Sequence, residues 1–180
     1  MIPERSQQGF TEFAVAAAMM QGNMAQDAHL SFPDAGGTSV SVVDPSSIYY
    51  YGNSQGGILG GSYLALSNKI QRGVLGVPGM PYALLLYRSA DFSPFFVLFK
   101  SVYDDSRDIA FWMVLMQTVW DSGEAGGYGR QMAEEPLDNT PAHTVLLQDA
   151  LGDAQVTTLG AQNMARAYGA VQLDPPVREI

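Results

Sequence analysis

The stretch "IYYYGNSQGGILGG", residues 48–61, decides how this chain is read. It leaves a short aromatic run, "SIYYYG" (47–52), whose composition and flanking turn residues read as a strand. It enters "SQGGILGGSYLALSNKI" (54–70), which reads as a helix. Ser54 stands between them, inside Gly-x-Ser-x-Gly from Gly52 to Gly56. That spelling alone is a weak signal, and the strand before it and helix behind it supply the context it needs. Gly52, Gly56 and Gly57 remove side chains that would clash in a tight strand-to-helix turn. Such a turn points the Ser54 hydroxyl over the carboxyl end of a sheet. The helix dipole and the N–H of Gln55 then face any oxyanion forming there. A glycine-rich turn with an ordinary capping serine is the competing interpretation.

Working outward, "RGVLGVPG" (72–79) reads as a second buried strand and "HTVLLQDA" (143–150) as a third. Residues 80–133 are helical in pattern and rich in Leu, Phe, Met and Trp. A helix is expected from Thr157 to Tyr168, terminated by Gly169, with "AVQL" (170–173) opening a fourth strand. Upstream, the Ala- and Met-rich residues 11–30 predict a helix. Residues 31–47, punctuated by Pro33, Gly36-Gly37 and Pro45, predict a loop. Helices alternating with nearly continuous apolar strands predict an α/β chain with a parallel sheet covered on both faces. Four glycines within the helix after Ser54 each cost about 1 kcal/mol against alanine, so they imply close backbone packing.

The chain has 180 residues, 47% apolar and 15% charged, which suits one domain or part of one with a large core. A net charge of −9 repels phosphate backbones, so no nucleic acid is expected as a partner. There is no cysteine, which excludes thiol chemistry and disulfides and is neutral about compartment. The longest apolar stretch, 82–99, is broken by Arg88, Asp91 and Pro94, so no membrane span is expected. No cofactor or metal site is suggested.

Two segments resemble the α/β-hydrolase fold, and the likeness extends over about residues 10–175. "VDPSSIYYYGNSQGG" (43–57) is similar to the run into its nucleophile elbow, with an Asp-Pro loop before the strand. "LLQDALGDAQV" (146–156) is similar to the strand end that carries its catalytic acid, with Asp153 three residues before Val156. The resemblance implies Ser54 as nucleophile, Gln55 as oxyanion-hole residue and Asp153 as the acid that orients a histidine. Asp149 is the alternative acid, and Asp153 could instead cap the helix at Thr157. The position after the second strand, which such folds also use for the acid, holds Pro78, Gly79 and Met80.

The base is the difficulty. Only His29 and His143 exist. His143 opens the strand that Asp153 follows, and about six residues at ~3.3 Å each put it near 20 Å from the catalytic edge. His29 ends the helix leading toward the first strand, also near the amino edge. Neither can reach the serine. In the resembled family the histidine follows the last strand. The expectation is therefore a partial α/β-hydrolase domain over 1–180, incomplete at both ends, lacking the catalytic histidine and the early glycine-rich oxyanion loop. Gly36-Gly37 is the sole upstream candidate for that loop. Residues 80–140 are expected to form a helical cap insertion whose aromatic and Met side chains suit an apolar acyl or alkyl group. The glycine-rich "DSGEAGGYGRQM" (121–132) within it is read as a loop. The implied activity is hydrolysis of a small-molecule carboxylic ester. The alternative is a non-catalytic chain that keeps the elbow as architecture. An exposed sheet edge at "SIYYYG" would offer a surface for self-association.

Overall fold

A computed structural model describes residues 2–177 and shows an α/β architecture built on a small parallel sheet. The chain begins with helix α1 (Ile2–Gln21), continues through two short 3-10 turns, and forms a hairpin of β1 (Ser31–Pro33) and β2 (Ser39–Ser41). Strand β3 (Tyr50–Asn53), helix α2 (Gln55–Leu66) and strand β4 (Arg72–Gly76) follow. Then come helices α3 (Tyr82–Arg88), α4 (Ser93–Val102) and α5 (Ser106–Trp120), strand β5 (Thr144–Gln148) and helix α6 (Thr158–Ala167). The central sheet has the order β3-β4-β5, all parallel, with Asn53, Gly76 and Gln148 level at its carboxyl end. Among the described residues β3 has no partner strand on its outer side. The expected cover on both faces is not met: α2 covers one face, while Tyr51 (68% exposed) and Leu146 (43% exposed), aligned on the other, are open to solvent.

The glycines of α2 do what their cost implied. A Cβ on Gly60 would lie 2.5 Å from the Tyr50 ring and 2.9 Å from Leu75, and one on Gly73 would lie 2.6 Å from Leu64. Helix and sheet backbones therefore approach closely, with Leu64 and Leu75 fully buried between them. Each such side chain contributes about 1.5–3 kcal/mol by leaving water. Phe10 and Ala17 of α1, one stripe of that helix, join the same core, as do Met164 and Tyr168 from the α6 end.

Three expectations change. The helix expected at 11–30 starts at Ile2 and stops at Gln21, with Gly22 breaking it. The loop 31–47 contains the β1–β2 hairpin. Its turn is held by Asp34, whose Oδ1 accepts from the N–H groups of Gly36 and Thr38 at 2.8 Å. "AVQL" forms no strand: Val171 is 91% exposed, and nothing beside β5 pairs with it. Of its four residues only Val171 is a strong strand former, and among the described residues no neighbouring strand bonds the segment.

Residues 77–143, between β4 and β5, carry three helices and no strand. Asp105 caps α5, accepting from the Arg107 N–H at 2.8 Å. Helix α5 buries Ile109, Met113 and Trp120, whereas α4 buries no residue. Phe95, Leu98, Phe111, Trp112 and Val114 remain exposed on these two helices. Trp120 instead packs edge-on against Tyr82, with centroids 5.5 Å apart. No described helix is long and apolar enough to cross a membrane.

Candidate functional site at the carboxyl edge of the sheet

Ser54 occupies the single residue between β3 and α2, with φ 56° and ψ −120°. That is the second-position geometry of a type II′ turn, which glycine ordinarily fills, and holding a serine there costs about 1–3 kcal/mol. The surroundings enforce it. The Ser54 N–H donates to the Gly76 carbonyl at 3.0 Å, and its own carbonyl accepts from Ile58 at 2.9 Å. The Tyr50 hydroxyl donates to the Gly56 carbonyl at 2.7 Å, tying the first turn of α2 to β3. The hydroxyl of Ser54 makes no capping bond, and the residue is exposed. An ordinary capping serine would bond an N–H of the first turn. The N–H of Gln55 belongs to the group at a helix start that has no intrahelical acceptor.

The glycines around the turn are not equivalent. A Cβ on Gly52 would strike the Gly56 carbonyl, and one on Gly57 would strike the carbonyl of Gly76. Gly56 differs from the expectation. A Cβ there meets only the Tyr50 hydroxyl, at an ordinary 3.7 Å, so space does not demand glycine at that position.

Asp153 follows β5 and so lies at the same edge. Its Oδ1 accepts from the N–H of Gln155 at 2.7 Å and of Val156 at 2.9 Å. Thr157 caps α6 by itself, accepting from Leu159, so Asp153 is not that helix's cap. Among the described residues no hydrogen bond falls on Asp153 Oδ2. With β4 between β3 and β5, the two strand ends are separated by two strand spacings, about 10 Å. Asp149 is exposed and directly follows the strand.

The histidines lie elsewhere. His143 is buried just before the amino end of β5, which pairs with the start of β4, six residues or about 20 Å along the sheet from the Ser54 level. Its Nε2 lies 3.0 Å from the Ser67 carbonyl, and its backbone N–H donates to Met132 at 2.8 Å. His29 is on the surface with Nδ1 3.0 Å from Asp27 Oδ1. Gly36-Gly37 sits in the exposed hairpin turn. Among the described residues no three His, Asp or Glu side chains group as metal ligands.

Two features at this edge have no counterpart in the motif reading. Val77, just after β4, has φ 41°, rare for a β-branched residue. Its N–H donates to Gln148 at 2.7 Å, so strain is stored on adjacent strands at one edge. The second is Glu124, 2% exposed, in the glycine-rich 121–132 segment. That segment is three successive 3-10 turns packed against α2 rather than an open loop. Glu124 Oε1 accepts from Gln117 Nε2 at 2.6 Å, and Oε2 has no partner. Burial pushes this carboxyl above its ordinary value. The Gly126 N–H, Gln117 and the Tyr82 N–H oppose that rise, and nearby Asp121 reinforces it. An acidic residue set among glycines after an apolar helix was the available signal.

Comparison with protein-family models, with curated proteins and with solved structures finds no match for this chain.

Proposed function

We propose that the chain carries the nucleophile of a serine hydrolase of the α/β-hydrolase class, acting on a carboxylic ester with an apolar group. The observation that carries this reading is Ser54 itself. A serine is held in a glycine-type conformation at the carboxyl end of a parallel sheet, with its hydroxyl uncommitted. Strain of that kind persists only where the surroundings over-determine it. In the proposed reaction Ser54 Oγ attacks the ester carbonyl, and the Gln55 N–H receives charge on the carbonyl oxygen. Asp153 Oδ2 orients and stabilises an imidazole bridging the two strand ends. In this reading the imidazole is neither His143, held at the Ser67 carbonyl, nor His29, paired with Asp27. The helices at 80–140 would cap the site, their exposed aromatic side chains meeting the apolar group.

A fluorophosphonate probe and chemical rescue test this. Hydrolysis of p-nitrophenyl butyrate by the chain should show no component dependent on Ser54. Added imidazole should create one, measured as the difference from Ser54→Ala. If neither labelling nor rescue depends on Ser54, the reading fails. The second reading, an elbow kept as architecture in a non-catalytic chain, is favoured by one observation. His143 is committed to the opposite end of the sheet, and His29 is paired with Asp27.

A further inference from the structure

Helix α5 is apolar around its whole circumference from Ile109 to Trp120, where Gln117 and Thr118 are its only polar side chains. One face is covered, and Ile109, Met113 and Trp120 are buried on it. On the opposite face Trp112, Leu115 and Val119 recur at steps of three and four residues and are 39–65% exposed. Helix α4 repeats the pattern with Phe95, Leu98 and Val102, 58–70% exposed. Ring contacts from Phe99 to Tyr103, with centroids 6.4 Å apart, and from Tyr103 to Trp112, at 5.9 Å, join the two helices into one unit. A helix that is apolar all round belongs inside a packed structure, so its open face is built to be covered. We propose that a second copy of this chain covers it, in a twofold dimer whose α5 helices cross antiparallel. Area selects that occupant. Nine large apolar side chains of α4 and α5 are exposed. Allowing about 150 Å² for each whole side chain, they present about 800 Å², the share each partner contributes to a standard-sized interface. The chain as a whole exposes 11112 Å², against about 8,500 Å² usual for a folded monomer of this size. The composition is that of an interface core, aromatic and aliphatic, with no charge between Ile109 and Trp120. An isologous contact also needs no second surface, since each α5 seam is the other's partner. Antiparallel crossing opposes the two helix dipoles and separates the two clusters of Asp104, Asp105 and Asp108 at the α5 starts. A lipid surface is the competing occupant. Helices that lie in a membrane interface carry Lys and Arg beside their apolar face. Here the three aspartates outnumber Lys100 and Arg107, and Arg107 is paired with Asp105. The dimer does not rest on the hydrolase reading, with which it competes only for the exposed side chains of the cap.

Sedimentation equilibrium of the full chain tests this. The wild type should be dimeric at about 50 µM in about 0.15 M NaCl, as interfaces of this size hold at micromolar concentration or below. Raising the salt should tighten the dimer, because each chain carries a charge of −9 and screening weakens that repulsion. Leu115→Asp sets like charges across the twofold contact and should weaken association about 100-fold or more, leaving a folded monomer. Val119→Lys should do the same, and it decides the matter if the aspartate variant does not fold. Tyr51→Asp, on the open face of the sheet, should leave the dimer intact. A wild type that stays monomeric at about 50 µM would overturn the proposal. Flotation of that monomer with phosphatidylcholine vesicles would then give the face to a lipid surface. A dimer that survives both α5 variants would overturn it as well, and its loss on Tyr51→Asp would place the contact at β3.

Discussion

The two ends of the three-stranded sheet are built to opposite rules. At the amino end, polar groups mostly serve structure, although His143 Nδ1 is buried without a partner. His143 joins β5 to the end of α2 through the Ser67 carbonyl, and the Ser67 hydroxyl accepts from the Lys69 and Ile70 N–H groups at 3.2 and 3.0 Å. At the carboxyl end, Ser54 and Val77 are strained, Ser54 is exposed, Asp153 bonds through one oxygen only, and Glu124 has a bare oxygen. Backbone strain costs stability, and Ser54 and Val77 place it side by side at the carboxyl edge. This agrees with the general rule that open parallel sheets bind ligands outside the carboxyl ends of their strands.

The comparison can be broken most forcefully at Gly57, where the two rules share one packing contact. Gly57→Val drives a side chain into the Gly76 carbonyl and should cost about 3 kcal/mol or prevent folding, read by urea melting. A variant as stable as the wild type would mean that α2 does not approach β4 as described. The amino end is tested by His143→Ala. It removes a buried bond and leaves a cavity, so it should lose about 2 kcal/mol. Any reactivity of Ser54 toward a fluorophosphonate should persist in the folded fraction. A selective loss of labelling would return His143 to the site.

Ser54→Gly sharpens the contrast in the other direction. Relief of the left-handed conformation, offset by the extra freedom of glycine in the unfolded chain, should stabilise by about 1 kcal/mol. Labelling should vanish. A destabilised glycine variant would show that Ser54 is not strained in solution. The smallest expected signal is a slope. With its folded value raised above the ordinary 4.5, Glu124 adds most to stability while protonated in both states. That contribution falls as pH rises from the unfolded value through the folded one. Glu124→Gln stays neutral, so its stability should lack this decline, seen by comparing denaturant midpoints across the acidic-to-neutral range.

Much of the fold could be read locally. The serine turn, the three parallel strands and the capped helix after Thr157 are marked by short-range signals: glycine spacing, apolar runs and an N-cap. Elements that depend on a partner were not readable in the same way. The hairpin at 31–41 lacks a strong apolar alternation, and "AVQL" has the composition of a strand without a neighbour to pair with. At the candidate site, Ser54 and Asp153 were visible because their positions follow from the chain's order around the sheet. Val77 and Glu124 were not, because backbone strain and an unpaired buried oxygen arise only when distant segments meet.

By itself, the sequence determined that a serine would stand between a strand and a helix, and that a parallel sheet would bring Asp153 to its edge while keeping His143 at the other. Strands alternating with helices, joined by right-handed crossovers, leave few other arrangements. The tertiary structure alone decided which glycines are indispensable, that the 121–132 segment packs against α2, and that a carboxyl is buried beside Gln55. Those facts depend on distances between residues tens of positions apart, and no local propensity encodes them.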